Sequence, residues 1–544
     1  MSEKEYSFQN INIEEIITNS FNEFLNENNI IYPNLSNKTL QQWNFEEYLE
    51  KNGILPLDLT KTPAIIESIP DLSSIKINEP NNELKLIKFF GTIQSIHENQ
   101  LYISAKYDSK NKTYLINKYF ENNSNAMVLE EDNMGNQTGT DILGDRLRLE
   151  LTQVIGMNEY FEKKINLDEK VKQILVYDYT NNFTKINQNI LVIGVAYFKE
   201  DKIIIHSWKI LENYEKMKIC NDYNILVKNG MNDDKKIYRE KIKNIFLKVL
   251  NNDKIASDYL LLFLFGQIFS KLGTKNVGAF PLNLILEQKL DKNECNSIYN
   301  NILNIFNKIC LKIMEIKLTT DELNKNMYYP RYDAETEEFH PGKLQLSDGT
   351  FLLIDEINMN EGKLVENGIK NIGSLKNLVD FQLLGYEYPY NRIEISHDLE
   401  ILVITQKSKS LLFSPFLTLL PIISAENEAN PQPPNISDIT ENDFKSIFYY
   451  VNFIRYDSYF NDKFIINDEI SKSIQNDYIS RNKNFKADNF DLVLKLARFH
   501  ALSYGRNNMT YEDYEYVDYL EKERQSRVSK FVQMKTKEIL TFGL

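Results

Sequence analysis

Two adjacent acids, Asp355 and Glu356, close the apolar run Phe351-Leu352-Leu353-Ile354-Asp355-Glu356-Ile357 and are the residues of this sequence best placed to do chemistry. At the tip of a buried strand, one carboxylate can hold Mg²⁺ through water while the other polarises an attacking water. Both roles require a phosphate beside them. A phosphate site needs glycines that let backbone N–H groups converge, plus a lysine that reaches the β/γ oxygens. No G-x-x-x-x-G-K-[ST] segment occurs anywhere in the 544 residues. Asp355 and Glu356 are therefore expected to be a degenerate Walker-B-like pair without catalytic activity. The competing reading is a strand end that simply enters a polar turn.

An acid-bearing strand works only beside a strand that carries the phosphate loop and one that carries a polar sensor. Phe280 to Leu286 reads as the first, followed by the loop Glu287-Gln288-Lys289-Leu290-Asp291-Lys292-Asn293 and a helix from about Glu294 through Ile313. Strand, loop, helix is the topology of a phosphate-binding unit, yet this loop contains no glycine. Leu399 to Gln406 reads as the third strand, at the position of a sensor. Residues 255–445 then form one α/β domain. Within it, Ile255 to Phe269 is apolar nearly all round and predicts a helix buried on several sides, ended by Gly273 and Gly278. After Pro431-Gln432-Pro433-Pro434 the chain turns helical, giving a C-terminal helical domain over 446–544. Asp491 to Leu502 carries one apolar stripe, and Thr510 with Asp513 forms a capping-box-like pair.

The front of the chain has a different texture. Residues 1–80 read as a helical and extended segment, helical from about Ile13 to Leu49 and then broken by Pro56, Pro63, Pro70 and Pro80. Residues 81–212 are β-rich, with strands near 84–93, 101–105, 173–177, 189–197 and 202–206. Short strands with interior glycines suit a small OB-like barrel, and a generic β-sandwich would give the same pattern. Residues 213–254 read as a linker or a solvent-exposed helix.

Bulk properties narrow the function. At roughly 100–200 residues per domain the chain holds three or four units. A hydrophobic content of 42% with 12% aromatics supports packed cores. The net charge of −14 argues against a dominant nucleic-acid surface, because that affinity comes mainly from Lys and Arg on phosphates. Cys220, Cys295 and Cys310 form neither a C-x-x-C pair nor an even disulfide framework, which fits a reducing compartment. The five histidines are scattered, so no metal or cofactor is expected. With no basic-then-apolar N-terminus and no long apolar span, a soluble intracellular protein without membrane contact is expected.

With these segments placed, the chain resembles the minichromosome maintenance (MCM) complex-binding protein family and, more distantly, the MCM helicase subunits. The resemblance is carried by Gly342 to Glu356, Glu361-Gly362-Lys363-Leu364, Gly368-Ile369-Lys370-Asn371-Ile372, Ala256 to Leu262, Pro281-Leu282-Asn283-Leu284 and Leu496 to Ser503. It is fainter at Ile69-Pro70-Asp71-Leu72 and Ile87 to Gln94, and Ser95 to Leu101 departs from the family's Asp-rich, aromatic segment. Against the helicase subunits, the phosphate loop has become Gln288-Lys289-Leu290-Asp291, and the position similar to an arginine finger reads Ser414-Pro415-Phe416-Leu417. Phosphoryl transfer depends on those two cations.

The resemblance implies a multidomain α/β protein with an OB-like front, a degenerate AAA+-like core lacking the phosphate loop, and a helical lid. It implies a non-enzymatic nuclear protein that associates with MCM helicase subunits. Such a protein would regulate DNA replication through assembly or unloading of their complex from chromatin, with a link to sister chromatid cohesion. Two alternatives stay open: an active AAA+ ATPase with an unconventional loop, and a single-strand-binding OB protein using Tyr102, Tyr107, Tyr114, Lys106 and Lys112.

Overall fold

Runs that are apolar at every position become strands covered on both faces, and runs with one apolar stripe become helices laid against them. The structure, a computed structural model, describes residues 12–30, 34–56, 58–59, 63–72, 84–109, 111–119, 141–162, 171, 173–180, 185–199, 201–272, 275–286, 289–335, 338–406, 410–412, 418–421, 439–481 and 487–542. It divides into two units, residues 1–154 with 164–218, and residues 155–163 with 219–544.

In the first unit α1 (Ile13–Glu27), α2 (Asn37–Leu40), α3 (Phe45–Lys51) and α4 (Pro63–Ser68) precede seven strands. These are β1 (Lys85–Ile96), β2 (Gln100–Asp108), β3 (Thr113–Ile116), β4 (Asp141–Gln153), β5 (Gln173–Asp178), β6 (Asn189–Lys199) and β7 (Lys202–Leu211). β1 pairs antiparallel with both β4 and β6, β6 with β7, and β4 with β5, while β5 and β7 run parallel. Five strands thus close on themselves, which removes their free edges. The β2–β3 hairpin extends from β4. Ile87, Phe89, Ile93, Leu149, Val176, Val192 and Ile205 fill one apolar cluster among the ring strands. A bulge at Ile193/Gly194 needs its glycine, because the His206 carbonyl stands where a Cβ would project. α3 packs on the sheet through Phe45, which meets Trp208 of β7 edge-on at 5.3 Å, and Trp43 Nε1 donates to Ser20 Oγ of α1 at 3.1 Å.

α5 (Tyr214–Lys228) leads to α6 (Lys235–Val249), α7 (Lys254–Leu264), β8 (Ser270–Leu272), β9 (Lys275–Val277), β10 (Leu282–Ile285), α8 (Lys292–Ile309) and β11 (Ile313–Lys317). Then come α9 (Thr320–Lys325), β12 (Arg331–Asp333), β13 (Glu338–His340), β14 (Thr350–Asp355), α10 (Glu366–Phe381), β15 (Leu383–Glu387), β16 (Arg392–Ser396), β17 (Leu399–Thr405) and β18 (Thr418–Pro421). α11 (Glu441–Tyr456), α12 (Ser458–Asn461), α13 (Asp468–Arg481), α14 (Ala487–Ser503) and α15 (Tyr511–Phe542) complete the unit. Its main sheet has the order β11-β14-β17-β10-β18 and is parallel throughout. A second sheet runs β13-β12-β15-β16.

The main sheet and the C-terminal helices share one apolar core. Phe263, Leu282, Phe306, Phe351 and Leu402 lie in the same cluster as Ile447, Tyr450, Leu496, Phe499 and Val517. The charged stretch around 228–254 holds α6, whose Tyr238, Ile242, Ile245 and Phe246 are buried in that core and not solvent-exposed. The apolar run from Ile255 is helical only to Leu264, so its end is not set by Gly273 or Gly278. Arg455 of α11 donates to the carbonyls of Leu264 (2.9 Å) and Gly266, satisfying acceptors that a continued helix would have used itself. Among the described residues no helix is long and apolar enough to cross a membrane.

The reciprocal pair at the start of α15 forms as the sequence suggests: Thr510 N–H donates to Asp513 Oδ2 at 2.8 Å and Asp513 N–H to Thr510 Oγ1 at 3.4 Å. His500 and Arg506 also bond Asp513. Burial alone pushes the Asp513 carboxyl up, but bonds from His500, Arg506 and Thr510 outweigh it and hold the acid well below the usual range. Burial keeps the His500 imidazole below its ordinary value against the pull of Asp513.

Two expectations follow from this packing. Leu496→Asp puts a charge into the shared core and should cost at least the roughly 2–5 kcal/mol of a cavity-forming substitution, read as a lower urea midpoint. Both depressed groups bind protons more readily when unfolded, so their contribution is complete at neutral pH and declines as pH falls. The loss should begin near the ordinary His value of about 6.5 and continue through the Asp value of about 3.9. In Asp513→Asn the lower part of that decline should flatten.

Candidate functional site

A parallel sheet places functional groups at the carboxyl ends of its strands, where the loops gather. Here β14 and β10 flank β17 in the order β14-β17-β10, so the three sequence segments singled out above end on the same side of the sheet. Asp355 ends β14, Gln406 follows β17, and the 286–291 connection follows β10 into α8. Glu287 and Gln288 of that connection lie outside the described residues, as do Ser414 to Leu417.

The acids are brought there but are already engaged. Asp355 is buried, and its Oδ1 accepts from the Ile357 N–H at 2.8 Å while Oδ2 accepts from Asn358 Nδ2 at 2.7 Å. The carboxylate thus closes the turn that leaves the strand, as Asp side chains commonly do. Asn358 Nδ2 also reaches Asn296 Oδ1 of α8 at 2.9 Å, which ties the turn to the helix. Glu356 is equally buried; its N–H donates to the Ile404 carbonyl at 3.0 Å and its Oε1 accepts the Leu411 N–H at 2.6 Å. Burial, with the carboxylates of Glu315 and Asp355 nearby, holds the Tyr299 phenol well above its ordinary value.

The start of α8 is where a phosphate would sit. A helix N-terminus offers free N–H donors and a positive dipole end to anions. In this chain Asp291 takes that place: its Oδ1 accepts the Glu294 N–H at 2.7 Å, and Glu294 Oε2 accepts the Asp291 N–H at 2.8 Å. The two carboxylates take the Asp291 and Glu294 N–H groups and supply negative charge where phosphate would need positive. The Gln406 side chain turns to the same connection and donates to the Leu290 carbonyl at 2.7 Å. It braces the loop.

The stretch 287–293, in sequence a loop without glycine, thus ends in a helix cap, and Asp291-Lys292-Asn293-Glu294 is an acidic capping-box spelling that marks it. Two of the aromatic residues that a single-strand-binding surface would use are not exposed. Tyr102 and Tyr114 are buried, and Tyr107 packs edge-on to Tyr114 at 5.4 Å. Arg146, nearly fully buried, lies 3.7 Å from the Tyr177 ring centre and bonds Gln100 and Tyr179.

Fold and site define a mixed α/β protein of several sheets, with a buried acid pair at the end of one parallel strand that is hydrogen-bonded to the chain around it. Residues 202–528 match the family described as Mini-chromosome maintenance replisome factor, and the chain belongs to that family. It is similar to the Mini-chromosome maintenance complex-binding protein of Gallus gallus, at 26% identity over 309 residues, 54% of this chain and 45% of that protein. The protein of the same name from Arabidopsis thaliana is 27% identical over 297 residues, 53% of this chain and 47% of the relative. That of Homo sapiens is 24% identical over 297 residues, 54% and 44%. The match spans about half the length of these curated relatives.

If the acids serve the fold, neutralising one should weaken it. Asp355→Asn keeps the acceptor for Ile357 but sets an amide donor against the Asn358 amide. A loss of about 1–3 kcal/mol in urea unfolding is expected. An unchanged or raised midpoint would instead mark an acid kept for chemistry at the expense of stability.

Proposed function

We propose that this chain is a non-catalytic protein that binds MCM helicase subunits and thereby controls assembly or unloading of their complex. The observation that carries the reading is the carboxylate-capped start of α8 beside an acid pair that is hydrogen-bonded internally. A nucleotide machine needs those donors and that metal site open. The family supplies the partner class: its members named above are called MCM complex-binding proteins.

On this reading the unit around the parallel sheet is a degenerate AAA+-like core. β10 corresponds to the phosphate-loop strand, β14 to the acid strand and β17 to the sensor strand, and their adjacency in the sheet supports the assignment. The ring of β1, β4, β5, β7 and β6 is an OB-type barrel, supported by its five-strand closure. The domain assignment is 81–212 for the barrel, 255–445 for the core and 446–544 for a helical lid. Residues 1–80 form the N-terminal segment and 213–254 the connection.

A subunit look-alike already owns surfaces of the kind that ring neighbours use, so it can replace a neighbour or wedge a pair of neighbours apart without hydrolysis. That activity places the protein in the nucleus, with indirect association to chromatin and an effect on sister chromatid cohesion. Direct single-strand binding by the barrel is not adopted, because Tyr102 and Tyr114 are buried.

The test is capture from nuclear extract on the immobilised full chain, followed by mass spectrometry. MCM subunits should be retained by the unaltered chain and equally by Glu356→Gln, since binding needs no turnover. Failure to retain any MCM subunit, or retention that Glu356→Gln abolishes while leaving the fold intact, would overturn the proposal.

A further inference from the structure

The smaller sheet of the second unit ends in a strand whose outer edge is paired with nothing among the described residues. Its order is β13-β12-β15-β16, with β16 outermost. Arg392, Ile393 and Glu394 of β16 are exposed, Ile393 by 46%, and Tyr390 at the hairpin tip is fully exposed. Natural sheets commonly protect such an edge with charge, because open N–H and C=O groups template pairing with another chain. β16 does carry charges, but of opposite sign two residues apart.

Their placement follows from the hairpin ladder. Tyr388 and Asn391 exchange hydrogen bonds across the turn, and the His397 N–H donates to the Gln382 carbonyl at 2.9 Å. The register between is unbroken: Glu387 faces Arg392, Tyr386 faces Ile393, Gly385 faces Glu394 and Leu384 faces Ile395. Hydrogen-bonded and non-bonded pairs alternate along an antiparallel ladder. Ile393 and Ile395 therefore direct their backbone groups at β15, and Arg392 and Glu394 direct theirs outward.

We propose that β16 is a self-association edge: two copies of this chain join β16 to β16 antiparallel about a twofold axis at Ile393. In that register the outward groups of Arg392 face those of Glu394 in the other copy, on both sides of the axis. Two Arg–Glu cross-strand pairs then flank an Ile393–Ile393 contact. The neighbouring allowed registers are worse, because centring on Arg392 sets Arg against Arg and centring on Glu394 sets Glu against Glu. A one-residue slip would oppose outward groups to inward ones. Charge complementarity thus selects both the occupant and the alignment, and the interface is isologous, as a twofold dimer requires.

In the single chain Glu394 accepts a hydrogen bond from Asn377 Nδ2 of α10 at 3.1 Å and the Arg392 guanidinium lies over Gly385 of β15, so both exposed side chains turn to the other copy when the strands join. At the far end Lys271 Nζ donates to Ser396 Oγ at 2.8 Å, so the joint is confined to the tip-proximal half of the strand. So short an edge falls below the roughly 1,200 Å² of a standard stable interface. The dimer is therefore reversible and fills as concentration rises.

The test uses sedimentation velocity on the full chain over a concentration series. The unaltered protein should show a rising weight-average sedimentation coefficient. Arg392→Glu and Glu394→Arg should each stay monomeric at the highest concentration, with unchanged thermal melting. An equimolar mixture of the two variants should associate again, because each restores the opposite charge facing the other. An unaltered chain that remains monomeric throughout, a single variant that associates as the unaltered chain does, or a mixture that stays monomeric would each overturn the proposal.

Discussion

One buried cation holds the second unit together. Arg455 of α11 pairs with Glu400 of β17 at 2.9 Å, donates to the carbonyls at the end of α7, and lies 4.6 Å from the Phe351 ring of β14. Burial raises the Glu400 carboxyl above its ordinary value even with the guanidinium beside it. Burial likewise opposes charge on Arg455, but Glu400 more than offsets that, and the guanidinium stays charged. Removing one partner of such a pair leaves an uncompensated buried charge, at about 3–5 kcal/mol. The geometry therefore ties α11 to β17, to β14 and to the end of α7 through one side chain. Asn452, one turn earlier on the same helix, adds a bond to the Ile309 carbonyl at 3.1 Å.

That constraint bears on the sheet's carboxyl-end edge, where the described side chains are hydrogen-bonded to the chain around them. The polar groups that sequence motifs would assign to nucleotide chemistry each have a structural partner: Asp355 the following turn, Glu356 the Leu411 amide, Gln406 the Leu290 carbonyl, Asp291 the first turn of α8. These bonds tie the strand ends to the turns and loops that follow them.

How much of the structure is legible in the sequence depends on the range of the interaction. The strands Thr350–Asp355 and Leu399–Thr405 are legible because a parallel strand buried on both faces is a continuous apolar run. The Thr510–Asp513 cap is legible because its partners are three residues apart. By contrast, the apolar run from Ile255 contains nothing that marks Leu264 as its last helical residue; that stop is made by a side chain almost two hundred residues away. The Arg455–Glu400 pair is equally non-local, and α6 hides its buried stripe among lysines. The β15–β16 hairpin escapes sequence reading because its short strands interleave charged and apolar residues, and its turn, Tyr388-Pro389-Tyr390-Asn391, lacks the Asn-Gly or Asp-Gly spelling of a tight hairpin.

Calorimetric titration of the full chain with ATP in the presence of Mg²⁺ tests most directly the proposal that these strand ends serve no nucleotide. No saturable heat above dilution and no phosphate release are expected. Saturable binding, accompanied by hydrolysis that Glu356→Gln abolishes, would contradict it.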